Sequence, residues 1–146
     1  MIDFTSYEEV KLKDVAEFAR VKKDKIYPAG TSTIQISASL GETGYLDKPS
    51  KLNAKYVAII PQAGINSKYF NIVLQKNIHQ FMSKYATGLN IKAKEVGNFP
   101  IQLHNNETQE AIVKFVQFCE SEEQKNKMQI EALLKLKKNF QATMFV

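Results

Sequence analysis

Residues 106–144 read NETQEAIVKFVQFCESEEQKNKMQIEALLKLKKNFQATM, and this stretch decides the fold because it contains neither glycine nor proline. A run that long without a helix breaker predicts one continuous helix. At about 1.5 Å per residue, it is much longer than the three or so turns of an average helix in a small domain. We therefore expect a compact head, residues 1–105, followed by a long helix, residues 106–146, that packs against something outside its own domain.

The long helix carries a heptad pattern. Positions 112, 116, 119, 123, 126, 130, 133, 137, 140 and 144 alternate in steps of four and three, with apolar residues at both ends and a polar middle at 120–127. In an antiparallel pair with aligned centres, Asn126 meets its own mate, and a polar seam residue sets the register at a cost in stability. The predicted dimerisation residues are Ile112, Val116, Cys119, Asn126, Ile130, Leu133 and Phe140. A helix solvated at mid-length and packed at both ends on other subunits fits the pattern equally well.

The head has the mixed, turn-rich pattern of an α+β domain. Strands are predicted over about 31–39, after the turn at 41–44, over 55–61 and over 99–103, and helices over about 11–19 and 67–84. The segment 55–61 is almost continuously apolar, which favours a central strand. Asn66 and Ser67 are the predicted cap of the second helix. The predicted fold class is thus α+β, a mixed α/β head followed by one long C-terminal helix able to form a coiled coil.

The positive charge of the chain is confined to the head. Residues 20–106 hold twelve Lys or Arg against four Asp or Glu, giving +8, while residues 1–19 hold two against five, giving −3, and residues 107–146 hold six against six. A local surplus of this kind attracts polyanions, and nucleic acid is the commonest one in the cytosol. A lysine-rich solvated surface is the alternative explanation.

The sequence has no recognisable catalytic, metal or phosphate-binding motif. His79 and His104 lack acids or cysteines at ligand spacing and are predicted as surface or cap residues, and Cys119, the single cysteine, as a small buried residue. Gly41 and Gly44 are predicted to be turn glycines. We expect no enzymatic activity, no cofactor and no metal. Without a run of membrane-spanning length or a leader at the start, a cytoplasmic protein with no membrane partner is expected.

Two groups of polar residues are candidates for nucleic-acid contacts. Arg20, Lys22, Lys23 and Lys25 cluster in one basic loop suited to phosphates. A second group supplies donors and acceptors of the kind that contact base edges. Its members are Thr31, Ser32, Thr33, Gln35, Gln62, Asn66, Ser67, Lys68 and Tyr69. Short polar residues at turns are also ordinary in proteins without such a role.

Several segments, in a fixed order, carry a family resemblance. They are VKLKDVAEF at 10–18, TIQISAS at 33–39 with GETGYL at 41–46, YATGLNI at 85–91 with VGNFPIQL at 96–103, TQEAIV at 108–113, and the helix terminus at 130–145. The chain resembles the DNA-sequence specificity subunits of type I restriction-modification systems, which carry two target-recognition domains separated by long helices. Two details differ: Thr108 replaces the acid usual before Gln109, and His104-Asn105-Asn106 replaces a proline-rich approach. One recognition domain stands where two are usual, which implies a half-subunit.

The resemblance implies a non-catalytic DNA-recognition subunit. Residues 1–105 would be the target-recognition domain for double-stranded DNA, and residues 106–146 the spacer and dimerisation helix that recruits methyltransferase subunits and pairs with a second copy or another half-subunit. The predicted DNA-binding residues are Arg20, Lys22, Lys23, Lys25, Lys68, Thr87, Asn90 and Lys92. A coiled-coil adaptor whose basic head binds an acidic protein is the alternative, and a small enzyme with an unrecognised site is a second one.

Overall fold

The structure is a computed structural model that describes residues 1–38 and 41–144, with side chains described to residue 143. It divides into two compact units, residues 1–111 and residues from Ile112 onward. The elements in chain order are β1 (Glu8–Lys11), α1 (Leu12–Val15), β2 (Ala16–Arg20), β3 (Ile26–Tyr27), β4 (Ser32–Gln35), β5 (Thr43–Tyr45), β6 (Ser50–Lys51), β7 (Tyr56–Pro61), α2 (Ser67–Tyr85), the 3-10 helix η1 (Ala93–Asn98), β8 (Pro100–Leu103) and α3 (Asn106–Met144). The predicted fold class is confirmed.

An antiparallel sheet of four strands, in the order β2–β7–β4–β5, forms the centre of the head. The prediction that β7 is a central strand is confirmed, because Ala58 is paired with Ala19 on one side and with Thr33 on the other. Val57 and Ile59 are fully buried and share one face, since alternate residues of a strand point the same way. Helix α2 contacts β4, β5 and β7, so the apolar core lies between this helix and the sheet.

Helix α2 begins where the sequence predicts. The side-chain oxygen of Asn66 accepts hydrogen bonds from the backbone N–H groups of Lys68 at 3.0 Å and Tyr69 at 3.1 Å. These are two of the four donors that have no partner inside a helix at its N-terminus. The predicted cap and the predicted helix over about 67–84 are therefore confirmed.

The prediction of a helix over 11–19 is wrong, although most of the apolar residues on which it was based are buried. Only Leu12–Val15 is helical; the chain is extended at Ala16, with φ −150° and ψ 153°, and continues as β2. Leu12, Val15 and Ala16 are buried, as the periodic pattern requires, but Ala19 is exposed. Pairing with β7 supplies the backbone hydrogen bonds of residues 16–20, and this tertiary pairing overrides the local helical pattern.

Two smaller strand pairs complete the head. Strand β1 pairs with β8, which confirms the strand predicted near 99–103, and β3 pairs with β6. A small second core lies beside β3, with buried Val21, Tyr27 and Ala58. The strand predicted over 31–39 forms at Ser32–Gln35, and its last position, residue 39, lies outside the described residues.

The start of α3 is tied to the head by hydrogen bonds of polar side chains. The amide oxygen of Asn105 accepts from the N–H of Thr108 at 2.9 Å and so caps the helix. The amide oxygen of Gln109 accepts from the N–H of Asn66 at 3.0 Å, and its amide nitrogen donates to the carbonyl of His104 at 2.7 Å. Gln109 is only 2% exposed. The predicted helix is confirmed to Met144, its last two residues lie outside the described part, and the division at 105/106 stays a prediction.

The seam of α3 is largely open in the single chain. Ile130, Leu133 and Phe140 are exposed, while Ile112 and Val116 are half-buried. Cys119 is also exposed, so the expectation that it is buried is wrong for the single chain. A seam position becomes buried only when a second helix packs on it. The dimerisation residues, Asn126 among them, stay predictions.

Candidate nucleic-acid interface

Strand pairing brings separate loops together at one end of the central sheet. Strands β2 and β4 finish there and β7 begins there, because Arg20 is paired with Val57 and Gln35 with Tyr56. The N–H of Val21 donates to the carbonyl of Tyr56 at 3.0 Å, just beyond the last pair. We call this region, residues 20–25, 35–38, 53–56 and 87–92, the basic end.

The basic loop at residues 20–25 is held by several contacts. Arg20 Nε donates to the carbonyl of Ala54 at 3.1 Å, and the N–H of Lys22 donates to the hydroxyl of Tyr27 at 2.9 Å. The ammonium of Lys25 lies 5.1 Å from the centre of the Tyr27 ring. Lys22, Lys23 and Lys25 remain exposed. The loop thus presents cations from an ordered backbone.

A shallow groove of about 210 Å³ runs beside this loop on the outer face of the sheet. It is lined by Glu17, Phe18, Ala19, Arg20, Lys22, Lys25, Tyr27, Ala58 and Ile60. Its lining combines apolar residues of β2 and β7 with three cations, Arg20, Lys22 and Lys25, and one acid, Glu17. The three cations outnumber the single acid, which suits an anionic chain whose charges they can neutralise.

The turn at 87–90 is joined to the same end. The N–H of Thr87 donates to the carbonyl of Asn90 at 2.9 Å, the N–H of Asn90 returns a bond at 3.3 Å, and the N–H of Ile91 donates to the carbonyl of Ile36 at 3.0 Å. Asn90 also forms a β-bridge with Ser37, next to the end of β4. The turn and Lys92, which follows it, are therefore placed beside the end of the strand and not on a free loop.

Seven of the eight predicted DNA-binding residues fall at the basic end, and all seven are exposed. They are Arg20, Lys22, Lys23, Lys25, Thr87, Asn90 and Lys92. Lys68 is exposed as well, but it lies in the first turn of α2. Ser67 Oγ is 2.9 Å from the hydroxyl of Tyr45, which is paired with Ser32 at the opposite end of the sheet. Lys68 is thus separated from the other seven.

Several of the residues considered for base contacts are buried. Thr31, Ser32, Thr33, Gln35 and Tyr69 are at most 4% exposed. Their polar atoms are used inside the head; for example, Thr31 Oγ1 donates to the carbonyl of Pro28 at 2.7 Å and Gln35 Nε2 to that of Ser37 at 2.8 Å. The idea that these side chains contact base edges is therefore wrong, and they are structural.

His79 is exposed as expected, whereas His104 is not a simple surface residue. His104 Nδ1 is 2.7 Å from the hydroxyl of Tyr69, and its Nε2 is 3.1 Å from the carbonyl of Phe4. Burial raises the pKa of Tyr69, and a hydrogen bond from the backbone of His104 opposes that shift. The pair belongs to the start of α3 and not to the basic end.

The sequence patterns missed three residues of the basic end: Ser37, Lys55 and Leu89. The N–H of Ile36 donates to the carbonyl of Lys55 at 3.0 Å, which brings that lysine to the end of β4. No local pattern indicates this pairing. Leu89 had a signal, because an apolar residue inside a Thr-Gly-Leu-Asn turn is unusual.

Over residues 1–38 and 41–144, there is no group of three or more His, Cys, Asp or Glu side chains that could hold a metal ion. Within the same ranges, none of the helices combines the length and the apolar character needed to cross a bilayer.

The sequence profile described as Type I restriction modification DNA specificity domain matches residues 13–135. A match over that much of the chain shows the family, and the chain belongs to it. The resemblance drawn from the sequence is confirmed. No curated protein matches the chain.

Solved structures show the same fold. A chain from a structural study of complex assembly and conformational transition of the type I R-M system is 16% identical, with a TM-score of 0.75 over 90% of this chain and 43% of that one. The HsdS subunit of Thermoanaerobacter tengcongensis is also 16% identical, with a TM-score of 0.63 over 80% and 38%. The type I S subunit of M. genitalium is 18% identical, with a TM-score of 0.62 over 90% and 44%. The chain spans less than half the length of each.

Proposed function

We propose that this chain is a non-catalytic DNA-recognition subunit of a type I-like restriction-modification complex. Its head holds a short half-site of double-stranded DNA, and α3 acts as spacer. Membership in the DNA specificity family supports the class of function. One observation supports DNA binding by the basic end: exposed cations from separate loops lie together there.

The two kinds of side chain at the basic end have different roles in this proposal. Arg20, Lys22 and Lys23 neutralise phosphates, and release of the condensed counterions supplies most of the affinity. Thr87 and Asn90 lie on a turn that the sheet holds in place, and their short polar side chains reach base edges. Lys68, at the opposite end, contributes less than any of the lysines at 22–25.

The proposed partners rest on the seam of α3, where Ile130, Leu133 and Phe140 are exposed. We propose that Ile112, Val116, Cys119, Asn126, Ile130, Leu133 and Phe140 pair with a second copy or another half-subunit, and that the paired helices recruit methyltransferase subunits. Mass measurement by light scattering tests the pairing; a monomer at every accessible concentration contradicts it.

No contact or charge distribution of the described residues favours the adaptor over DNA recognition. A gel shift with random duplex DNA separates the two functions. A recognition subunit retards the duplex, alone or with methyltransferase subunits, whereas an adaptor does not.

The salt dependence of binding tests the basic loop. We expect Lys22→Gln with Lys23→Gln to lower the slope of log affinity against log salt by about 1.8, because each phosphate contact contributes about 0.9. The assay is fluorescence anisotropy of a 30-base-pair duplex with the full chain and its methyltransferase subunits, across about 50–200 mM salt.

Lys11→Gln with Lys13→Gln is the matched control. Both lysines are exposed, and the double variant removes the same charge. They precede the start of β2, where Ala16 is paired with Pro61, far from the basic end. This control should keep the wild-type slope. An unchanged slope in the Lys22/Lys23 variant would exclude that loop from the interface.

A further inference from the structure

Two exposed apolar side chains of the head lie near the basic end. Among the described residues of the head, large apolar side chains are exposed at Ile26 (64%) and Leu89 (68%), and at four positions near its start, Met1, Ile2, Phe4 and Tyr7. Ile26 directly follows the basic loop, and Leu89 lies in the turn at 87–90. Single exposed apolar residues are common on proteins. Here, however, Ile26 and Leu89 are next to loops that present cations, so this surface suits a ligand with apolar as well as anionic groups.

Leu89 is presented by a backbone that is already ordered. Its turn is closed by two hydrogen bonds between Thr87 and Asn90, at 2.9 and 3.3 Å, and Gly88 adopts the positive φ of 64° that such a turn requires. The next residue, Ile91, is 4% exposed and anchors the turn to β4. Little further ordering is needed when Leu89 meets a ligand, so contact there contributes to affinity with a small entropic cost.

The neighbours of Leu89 identify the chemistry of that ligand. Thr87 and Asn90 flank it with hydrogen-bonding groups, and Lys92 follows with a positive charge. Duplex DNA presents phosphates, hydrogen-bonding base edges and one apolar group in the major groove, the 5-methyl of thymine. Building on the proposed function, we propose that Leu89 is a specificity-determining residue that contacts a thymine methyl.

A protein partner fits this surface less well. The core of a protein interface is apolar and depleted in lysine. Leu89 and Ile26 are instead two separate apolar side chains on a surface that carries Lys55, Lys92 and the basic loop. An apolar contact surrounded by phosphate contacts is the arrangement of a groove reader.

Selection from a randomised duplex pool tests the assignment. The full chain with its methyltransferase subunits is used to enrich 30-base-pair duplexes, which are then sequenced. Wild type defines the preferred sequence, and Leu89→Ala should lose preference at one or two positions that favour thymine while keeping the others. For the duplex that wild type selects, the affinity of Leu89→Ala should be about five- to tenfold lower than that of wild type. This is the effect of losing one small apolar contact. The salt slope should be unchanged, because no charge is removed.

Two further variants separate this role from a structural one. Leu89→Met should keep the preference, because it keeps an apolar side chain of similar volume. His79→Ala removes an exposed side chain on α2 and should behave as wild type. The melting temperature of Leu89→Ala should equal that of wild type, since Leu89 contributes little to the core.

Replacing thymine by uracil at the affected positions completes a double-mutant cycle. Uracil lacks only the methyl group of thymine. The substitution should therefore lower the affinity of wild type for the duplex and leave the affinity of Leu89→Ala unchanged. If uracil lowers the affinity of wild type and of Leu89→Ala equally, or if Leu89→Ala keeps the wild-type sequence preference, Leu89 does not contact a thymine methyl. Either result leaves DNA recognition by the chain intact. Loss of methyltransferase binding in Leu89→Ala overturns it in favour of a protein contact. A complex that binds no duplex at all contradicts the proposed function and this inference together.

Discussion

Replacing Asn71 by aspartate should place an oxygen where the head needs a donor. Asn71 is 5% exposed, and its amide nitrogen donates to the carbonyl of Gly44 at 2.9 Å and to Ser32 Oγ at 3.1 Å. Its amide oxygen accepts from Gln75 Nε2 at 2.6 Å. Asn71→Asp keeps the shape and the acceptor, but it sets a carboxylate oxygen against a carbonyl oxygen between α2 and β5.

The size of the effect follows from these contacts. Each lost hydrogen bond is worth about 1 kcal/mol, and a buried acceptor left without a donor costs about 1–3 kcal/mol. Burial of the new charge adds to this and raises the pKa of the introduced carboxyl above about 3.9, its unfolded value. We expect Asn71→Asp to lower the free energy of unfolding by about 3 kcal/mol at pH 7. Because the folded state holds the proton more tightly, the loss should shrink as the pH falls towards about 4 and grow as it rises.

Urea unfolding of the full chain, followed by circular dichroism at pH 7 and near pH 4.5, measures this effect. The urea concentration at the unfolding midpoint should fall, while the dependence of the unfolding free energy on urea concentration should stay unchanged. Gln80→Glu is the control, because it makes the same amide-to-carboxylate change at an exposed position of α2 and should alter stability by less than about 0.5 kcal/mol. A loss below about 1 kcal/mol in Asn71→Asp, or one that is the same at both pH values, would refute the donor role of this amide.

Three other changes test the packing and polar contacts of the head. Gly44→Ala should lower the melting temperature, because the added Cβ would lie 2.5 Å from Thr33 Oγ1, and adding Thr33→Ala should restore it. Asn66→Ala should cost about 1 kcal/mol in urea unfolding, because it removes the cap of α2. Burial raises the pKa of Tyr69, so the stability it contributes is complete below its ordinary value of 10.0 and is lost as the pH rises above it. Tyr69→Phe should therefore show a flatter decline of unfolding free energy above pH 10 than wild type; parallel declines would contradict this.

Local signals were sufficient for the two long helices and the central strand. The absence of Gly and Pro over residues 106–144 predicted α3, and Asn66 predicted the start of α2. Both signals act through hydrogen bonds between residues close in sequence. The apolar run at 55–61 predicted β7, because a short, nearly continuous apolar run that stops at a proline is typical of a strand buried on both faces.

Local signals failed where a distant strand decided the outcome. Leu12, Val15, Ala16 and Ala19 fit one helical face, yet residues 16–20 extend because β7, some forty residues later, offers an unpaired edge. The same limit applies to side chains: a polar pattern at 31–35 does not reveal whether those residues face a ligand or the core. Burial at or below 4% at four of those positions settled that question.

The sequence by itself determined which kinds of residue this protein has available. They are a surplus of lysine in the head, an ordered segment pattern typical of a specificity domain, and an uninterrupted helix with an apolar seam. Tertiary structure alone decided which of those residues act together. The register of β2, β4 and β7 brings the loop at 20–25 next to the turn at 87–92 and leaves Lys68 at the other end. Register is a property of paired strands, and no single segment encodes it.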